Sequence, residues 1–328
     1  MSIYITHNSA LQYWRLVGKA RTNLGHRQRR TLLPLDPPDI SFLRSAGDVY
    51  TFGSMRLSLP LDILVATSSA RRPSKVITPH VFSGTVPENS FINVGRELFV
   101  SSPELCFLLM ASKLSLIELI ELGFEFCGSY SLPAAPISHL VDDKIADKAL
   151  YNLPELTNVK KLMTFIERTQ GVIGHYQASR ALRHIANDSG SPMETILTML
   201  LTLPYKLGGY SLPMPSLNHP VSPIKQLKGS TNRSHFRCDL FWPDRKLAVE
   251  YDSEMFHDNA RKIAEDAVRR NILTALNITP ITVTKQQLYS TPGLERVAMQ
   301  LASKLGRQLK HRKPGFAKAH SSLRKALL

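Results

Sequence analysis

Residues 237–257, "RCDLFWPDRKLAVEYDSEMFH", decide how the C-terminal half of this chain is read. Apolar residues alternate on either side of "PDRK", Pro243 to Lys246, a pattern that predicts a β-hairpin. With the turn there, Trp242 faces Leu247, Leu240 faces Val249 and Cys238 faces Tyr251 on one apolar side. The other side pairs Phe241 with Ala248, Asp239 with Glu250 and Arg237 with Asp252. Two carboxylates opposed on a sheet repel each other. A divalent cation removes the conflict, since Mg²⁺ is held by one or two carboxylates together with phosphates and waters. Such a cation can also activate a water and steady a phosphodiester under attack. The bland alternative is a solvated outer face on which Arg237 balances the acids. Phe241 on the same side suggests cover, and His257 follows at once.

Outward from the hairpin, the 328 residues suit about two domains. The chain is 43% hydrophobic and 20% charged, with a net charge of +15. That excess favours polyanionic partners, nucleic acid before an anionic membrane surface. Cys106, Cys127 and Cys238 form no C-x-x-C pair and no even framework, which fits a reducing, cytoplasmic setting. No apolar run reaches membrane-spanning length, and "MSIYITHNSALQYW" lacks the regions of a signal peptide.

Residues 1–35 contain no acid and carry Arg15, Lys19, Arg21, Arg27, Arg29 and Arg30. Within them "SALQYWRLVGK" reads as a short helix capped by Asn8 or Ser9, with Leu11, Trp14 and Val17 on one side. Strands are expected in "DVYTF", "MRLSL", "DILVAT", "KVITPHVF" and "FINVGRELFV". A helix capped by Ser101 or Ser102 opens at Pro103, and a second runs through "LSLIELIELGFEF". Residues 136–190 read as a polar helical bridge. An apolar helix begins at "SPMET", where Ser191 and Glu194 spell a capping box. After the hairpin come a helix at about 258–276, the strand "TPITVT" and the helix "LERVAMQLASKLGRQLK". Residues 311–328 read as a basic tail.

Glu194, Asp239, Glu250 with Asp252, His257, Asp266 with Arg270, and "ITVTKQQL" follow one another in this order. That series resembles the very-short-patch-repair-like endonuclease domains of the PD-(D/E)XK nuclease superfamily, over about residues 190–290. The resemblance implies an α/β domain at 191–310 with a mixed sheet flanked by helices and the hairpin central. It implies a Mg²⁺- or Mn²⁺-dependent endonuclease acting on nucleic acid, DNA before RNA. Asp239 and Glu250 would hold the metal, Asp252 and Glu194 would assist, and His257 would handle water or leaving group. The usual lysine is replaced by Asp252, so a cation must come from Arg270 or Lys285. Arg270, Lys285, Lys310, Arg312 and Lys313 would contact the nucleic-acid backbone.

Each role has a structural counterpart. Glu194 can simply cap its helix, His257 can be packed, and Asp266 with Arg270 fits a solvated i, i+4 pair. "PLDILVAT…FINVGRELFVSSPELCFLLMA" more weakly resembles regions found with AbiE-type antitoxins and regulators. It gives residues 1–135 an α+β domain that contacts nucleic acid or a protein partner. The competing function is therefore a non-catalytic nucleic-acid-binding regulator.

Overall fold

The β-branched alternation between residues 48 and 101 pairs into strands in the computed structural model. The structure describes all residues except 1, 19–20, 22–26, 29–32, 34, 38, 41–48, 53–54, 83, 96, 135–148, 223–235, 253–259 and 311–313. It is a mixed α/β protein of two units, Met1–Ile185 and Ala186–Leu328. Among the described residues no helix is long and apolar enough to cross a membrane.

The first unit begins with β1 (Ile3–Ile5) and α1 (His7–Val17). The helix starts after Thr6 rather than at Asn8 or Ser9, because the Ser9 hydroxyl accepts the Asp62 N–H at 2.9 Å instead of capping. Leu11, Trp14 and Val17 are buried as the period predicts. Next come β2 (Arg27–Gln28), β3 (Val49–Phe52), β4 (Met55–Ser58), β5 (Leu61–Val65) and β6 (Ile77–Val81). "FINVGRELFV" is two strands, β7 (Phe91–Gly95) and β8 (Leu98–Ser101). Gly95 and Glu97 turn the chain between them with positive φ, 109° and 58°. One mixed sheet runs β2-β7-β8-β1-β5-β6, with β3 and β4 as a separate pair.

Two helices follow, α2 (Pro103–Met110) and α3 (Leu116–Phe126). Ser102 caps α2, and a capping box of Ser115 and Glu118 starts α3. β9 (Tyr130–Ser131) pairs with β10 (Leu150–Tyr151). The supposed bridge supplies α4 (Val159–Glu167) and α5 (His175–Leu182), which pack on α2 and α3. It therefore completes the first unit, and the boundary falls after Ile185.

The second unit runs α6 (Pro192–Thr202), β11 (Ser216–Val221), β12 (Phe236–Trp242), β13 (Leu247–Asp252), α7 (Ala260–Ala275) and β14 (Thr279–Thr284). Its sheet order is β11-β12-β13-β14, which puts the hairpin in the middle. The hairpin is antiparallel, while β13 and β14 are parallel. Then come α8 (Lys285–Tyr289), α9 (Thr291–Lys304) and α10 (Phe316–Leu327). α10 corrects the basic tail: Phe316, His320, Leu323 and Leu327 are buried, so most of residues 311–328 belongs to the folded unit.

Candidate functional site

The hairpin register is the predicted one where the ladder holds: Leu240↔Val249, Phe241↔Ala248 and Trp242↔Leu247. It stops there. Instead, Asp239 Oδ2 accepts the Tyr251 N–H at 2.8 Å, so a side chain takes the place of a ladder bond. Cys238 packs with Phe241, Ala248 and Leu273, on the side opposite to the one expected for it. β11 is irregular at the same level, where Asn218 has φ 44° between the Leu217↔Leu240 and His219↔Cys238 pairs.

Glu194, on α6, is the third carboxylate. Ser191 Oγ accepts the Glu194 N–H at 3.1 Å, which is half of the expected capping box. The carboxylate completes a different set: its Oε2 accepts from Gly190 N at 2.9 Å and from Asn218 Nδ2 at 2.6 Å. Asn218 Nδ2 also donates to the Asp188 carbonyl at 2.9 Å. A Cβ on residue 190 would stand 2.9 Å from Asn218 Nδ2 and 3.1 Å from both Glu194 oxygens, so a larger residue would push these side-chain ends aside.

Glu250 meets a cation that the sequence reading did not name. Arg269 of α7 donates both to Glu250 Oε2 and to the Arg237 carbonyl. Arg237, expected to balance the acids, has an exposed side chain. The periodicity of α7 could have found Arg269, because it lies one turn before buried Ile272 and Leu273 and so faces the sheet. The Cys238 thiol, a weak donor, lies beside Glu250. Among the described residues Glu250 Oε1 is otherwise buried with no hydrogen-bond partner.

All three carboxyls hold protons more tightly than usual. Burial first, and then the Asp239 charge, push Glu250 up to about 8, with Arg269 acting against the rise. The same two causes push Glu194 up to about 7. Burial raises Asp239 as well. Crowded carboxyls taken out of water favour protons or a shared cation.

The remaining predicted residues are scattered. Asp252 ends β13 opposite Thr284, partly exposed. Arg270 and Lys285 are exposed, with Lys285 over the Tyr289 ring at 5.4 Å. Lys310 is exposed, and its backbone N–H donates to Tyr205. His257, Arg312, Lys313 and the Asp266 side chain lie outside the described residues. In the N-terminal segment, Arg15 and Arg27 pair with Glu125 and Glu104, and Arg21 donates to the Pro154 carbonyl. Arg15 and Arg21 are buried and spend their charge inside the fold, whereas Arg27 is exposed and joined to the buried Glu104. All three cysteines are buried free thiols.

Among the described residues no group of three or more His, Cys, Asp or Glu is arranged to hold a metal ion. The donor set fits a smaller demand. Two hard carboxylates, one with an orphaned buried oxygen, are what Mg²⁺ or Mn²⁺ takes from a protein when phosphate and water complete its shell.

No family model matches the chain, and no solved structure matches it. It is similar to two uncharacterized proteins of Mycobacterium tuberculosis, from strains CDC 1551/Oshkosh and ATCC 25618/H37Rv. Each is 29% identical over 98 residues, which is 30% of this chain. The chain spans 33% of the length of these curated relatives.

Proposed function

We propose that the second unit is a divalent-metal-dependent endonuclease that hydrolyses phosphodiester bonds, with DNA as its substrate. The observation that carries this reading is the orphaned Glu250 Oε1 beside Asp239, on a hairpin whose ladder opens at that level. The order α6-β11-β12-β13-α7-β14 agrees with the arrangement that the PD-(D/E)XK resemblance implies.

Asp239 and Glu250 would hold Mg²⁺ or Mn²⁺, which supplies Lewis-acid stabilisation and a more acidic water. Glu194, with its Oε2 fixed by Gly190 and Asn218, would exchange a proton with the attacking water. Arg269, the cation that meets Glu250, would take the part of the missing lysine by turning toward a developing phosphate charge.

Conversion of supercoiled plasmid to nicked circles in Mg²⁺ tests the proposal. The parent nicks, whereas Asp239→Asn and Glu250→Gln do not. A variant that nicks as fast as the parent removes the proposed site. The Arg269–Glu250 ion pair favours one other reading, in which the guanidinium replaces the metal and the protein is a non-catalytic nucleic-acid-binding regulator. Salt-sensitive DNA binding with no cleavage in any divalent ion selects that reading.

A further inference from the structure

Helix α5 presents an unusual outer face. Its buried residues are Ala178, Ala181 and Leu182. Opposite them Tyr176, Arg180 and Arg183 are spaced i, i+4, i+7, which aligns them along one exposed stripe. Tyr176 is 75% exposed, and Ile173 just before the helix is 67% exposed. Tyrosine normally hides its ring and leaves only the hydroxyl wet, so exposure of this degree on an ordered helix calls for a reason.

The frame beneath the stripe is rigid. Gly174 caps the helix at φ 93°, so close to α2 that a Cβ there would stand 2.7 Å from the Leu108 carbonyl oxygen. Gln177 donates to the Leu114 carbonyl, and the His175 N–H donates to the Val172 carbonyl. The Arg180 guanidinium lies 5.7 Å from the Tyr176 ring centroid. One ring face is thus backed by a cation, and the ring is held for an incoming planar group.

Charge selects that group. Residues 159–185 carry Lys160, Lys161, Arg168, Arg180 and Arg183 against one acid, Glu167. All five cations are exposed. An ordered aromatic ring bordered by arginines combines the two elements of single-strand recognition: base stacking and backbone neutralisation. A duplex keeps its bases stacked internally and offers Tyr176 no ring.

We infer that the Tyr176–Arg180–Arg183 stripe of α5 is a docking surface for single-stranded nucleic acid, with one base stacked on Tyr176. The inference rests on nucleic acid as the ligand class and not on cleavage. It also places this contact in the first unit, apart from the carboxylates.

The test is fluorescence anisotropy of a labelled twenty-nucleotide oligo(dT) with the full chain in EDTA, where no cleavage occurs. Tyr176→Ala binds about five- to a hundredfold more weakly, the loss expected for one stacked base. Arg180→Gln with Arg183→Gln lowers the slope of log affinity against log salt by about 1 to 1.5. These residues are exposed, so melting temperatures stay at the parent's value. In a Tyr176→Trp variant, oligo(dT) quenches the introduced indole, while poly-glutamate and a blunt duplex do not. Unchanged affinity and slope in both sets of variants overturn the proposal, as does equal quenching by poly-glutamate. Parent binding that is intact but indifferent to these changes sinks the stripe alone. Binding that depends on the stripe, without nicking, sinks the nuclease alone. A parent that binds no oligonucleotide or duplex sinks both.

Discussion

Arg269 reaches from α7 to the Glu250 carboxylate on β13, and the same nitrogen also donates to the Arg237 carbonyl. One guanidinium therefore ties the helix to both strands of the hairpin at the level where their ladder opens. It neutralises one oxygen of a carboxylate and leaves the other, Oε1, buried without a hydrogen-bond partner among the described residues.

Removing that tether leaves Glu250 in a poor environment. Arg269→Ala is expected to destabilise the second unit by roughly 1.5–3 kcal/mol, the range for a hydrogen bond to a charged group. Glu250→Gln in the same chain should recover part of the loss, because the buried carboxyl that Arg269 satisfied is gone. A double-mutant cycle in urea measures the coupling. Strictly additive effects would mean that the pair does not hold the hairpin.

Protonation gives stability a definite pH trend. Glu250 is raised to about 8 and Glu194 to about 7, above the ordinary carboxylate value. Between the ordinary value and these raised ones the folded chain binds more protons than the unfolded chain. The contribution of these two carboxyls to stability without metal is therefore greatest at low pH within this window, and falls as pH rises toward 8. Glu250→Gln should flatten the fall seen by thermal melting between pH 5 and 8. Glu121, also raised to about 8, adds the same slope to both proteins and cancels. Parallel curves would contradict the assignment.

Gly190 leaves room for the Asn218 and Glu194 side-chain ends to meet. Gly190→Ala pushes a methyl group into Asn218 and the Glu194 carboxylate. A loss on the order of 1 kcal/mol is expected from overpacking. Cleavage should fall further than stability alone explains, because Glu194 loses its orientation. Urea midpoints and nicking rates, measured together, separate the two effects.

Deleting residues 314–328 should unfold the second unit rather than trim a binding tail. Phe316, Leu323 and Leu327 are buried in it, and His320 Nδ1 donates to the Gly208 carbonyl at 2.7 Å. At ~1.5–3 kcal/mol for each large apolar side chain, the loss is at least roughly 4 kcal/mol. A truncated chain that melts with the parent would remove α10 from the core.

The hairpin was legible because alternation fixes which residues pair, and the three ladder pairs follow from it. The break beyond Leu240 was not, since it depends on Asp239 taking a backbone N–H that the pattern assigns to a strand partner. Arg269 was passed over for its neighbour Arg270, although the helical period favours the residue in line with Ile272 and Leu273. Asn218 carries no local signal at all; its role arises only when β11 is laid beside β12 at the start of α6. At the N-terminus Arg15 and Arg21 are buried in the fold, whereas Arg27 is exposed. Charge counts say nothing about burial.

The central claim is that Asp239 and Glu250 hold a divalent cation, and calorimetric titration with Mn²⁺ near pH 7 tests it most directly. One site per chain is expected, with a heat that changes with the ionisation enthalpy of the buffer, because metal displaces the protons that Glu250 and Glu194 retain. Asp239→Asn should abolish both the binding and the proton release. No saturable heat in the parent, or the same isotherm in Asp239→Asn, would mean that these carboxylates hold no metal.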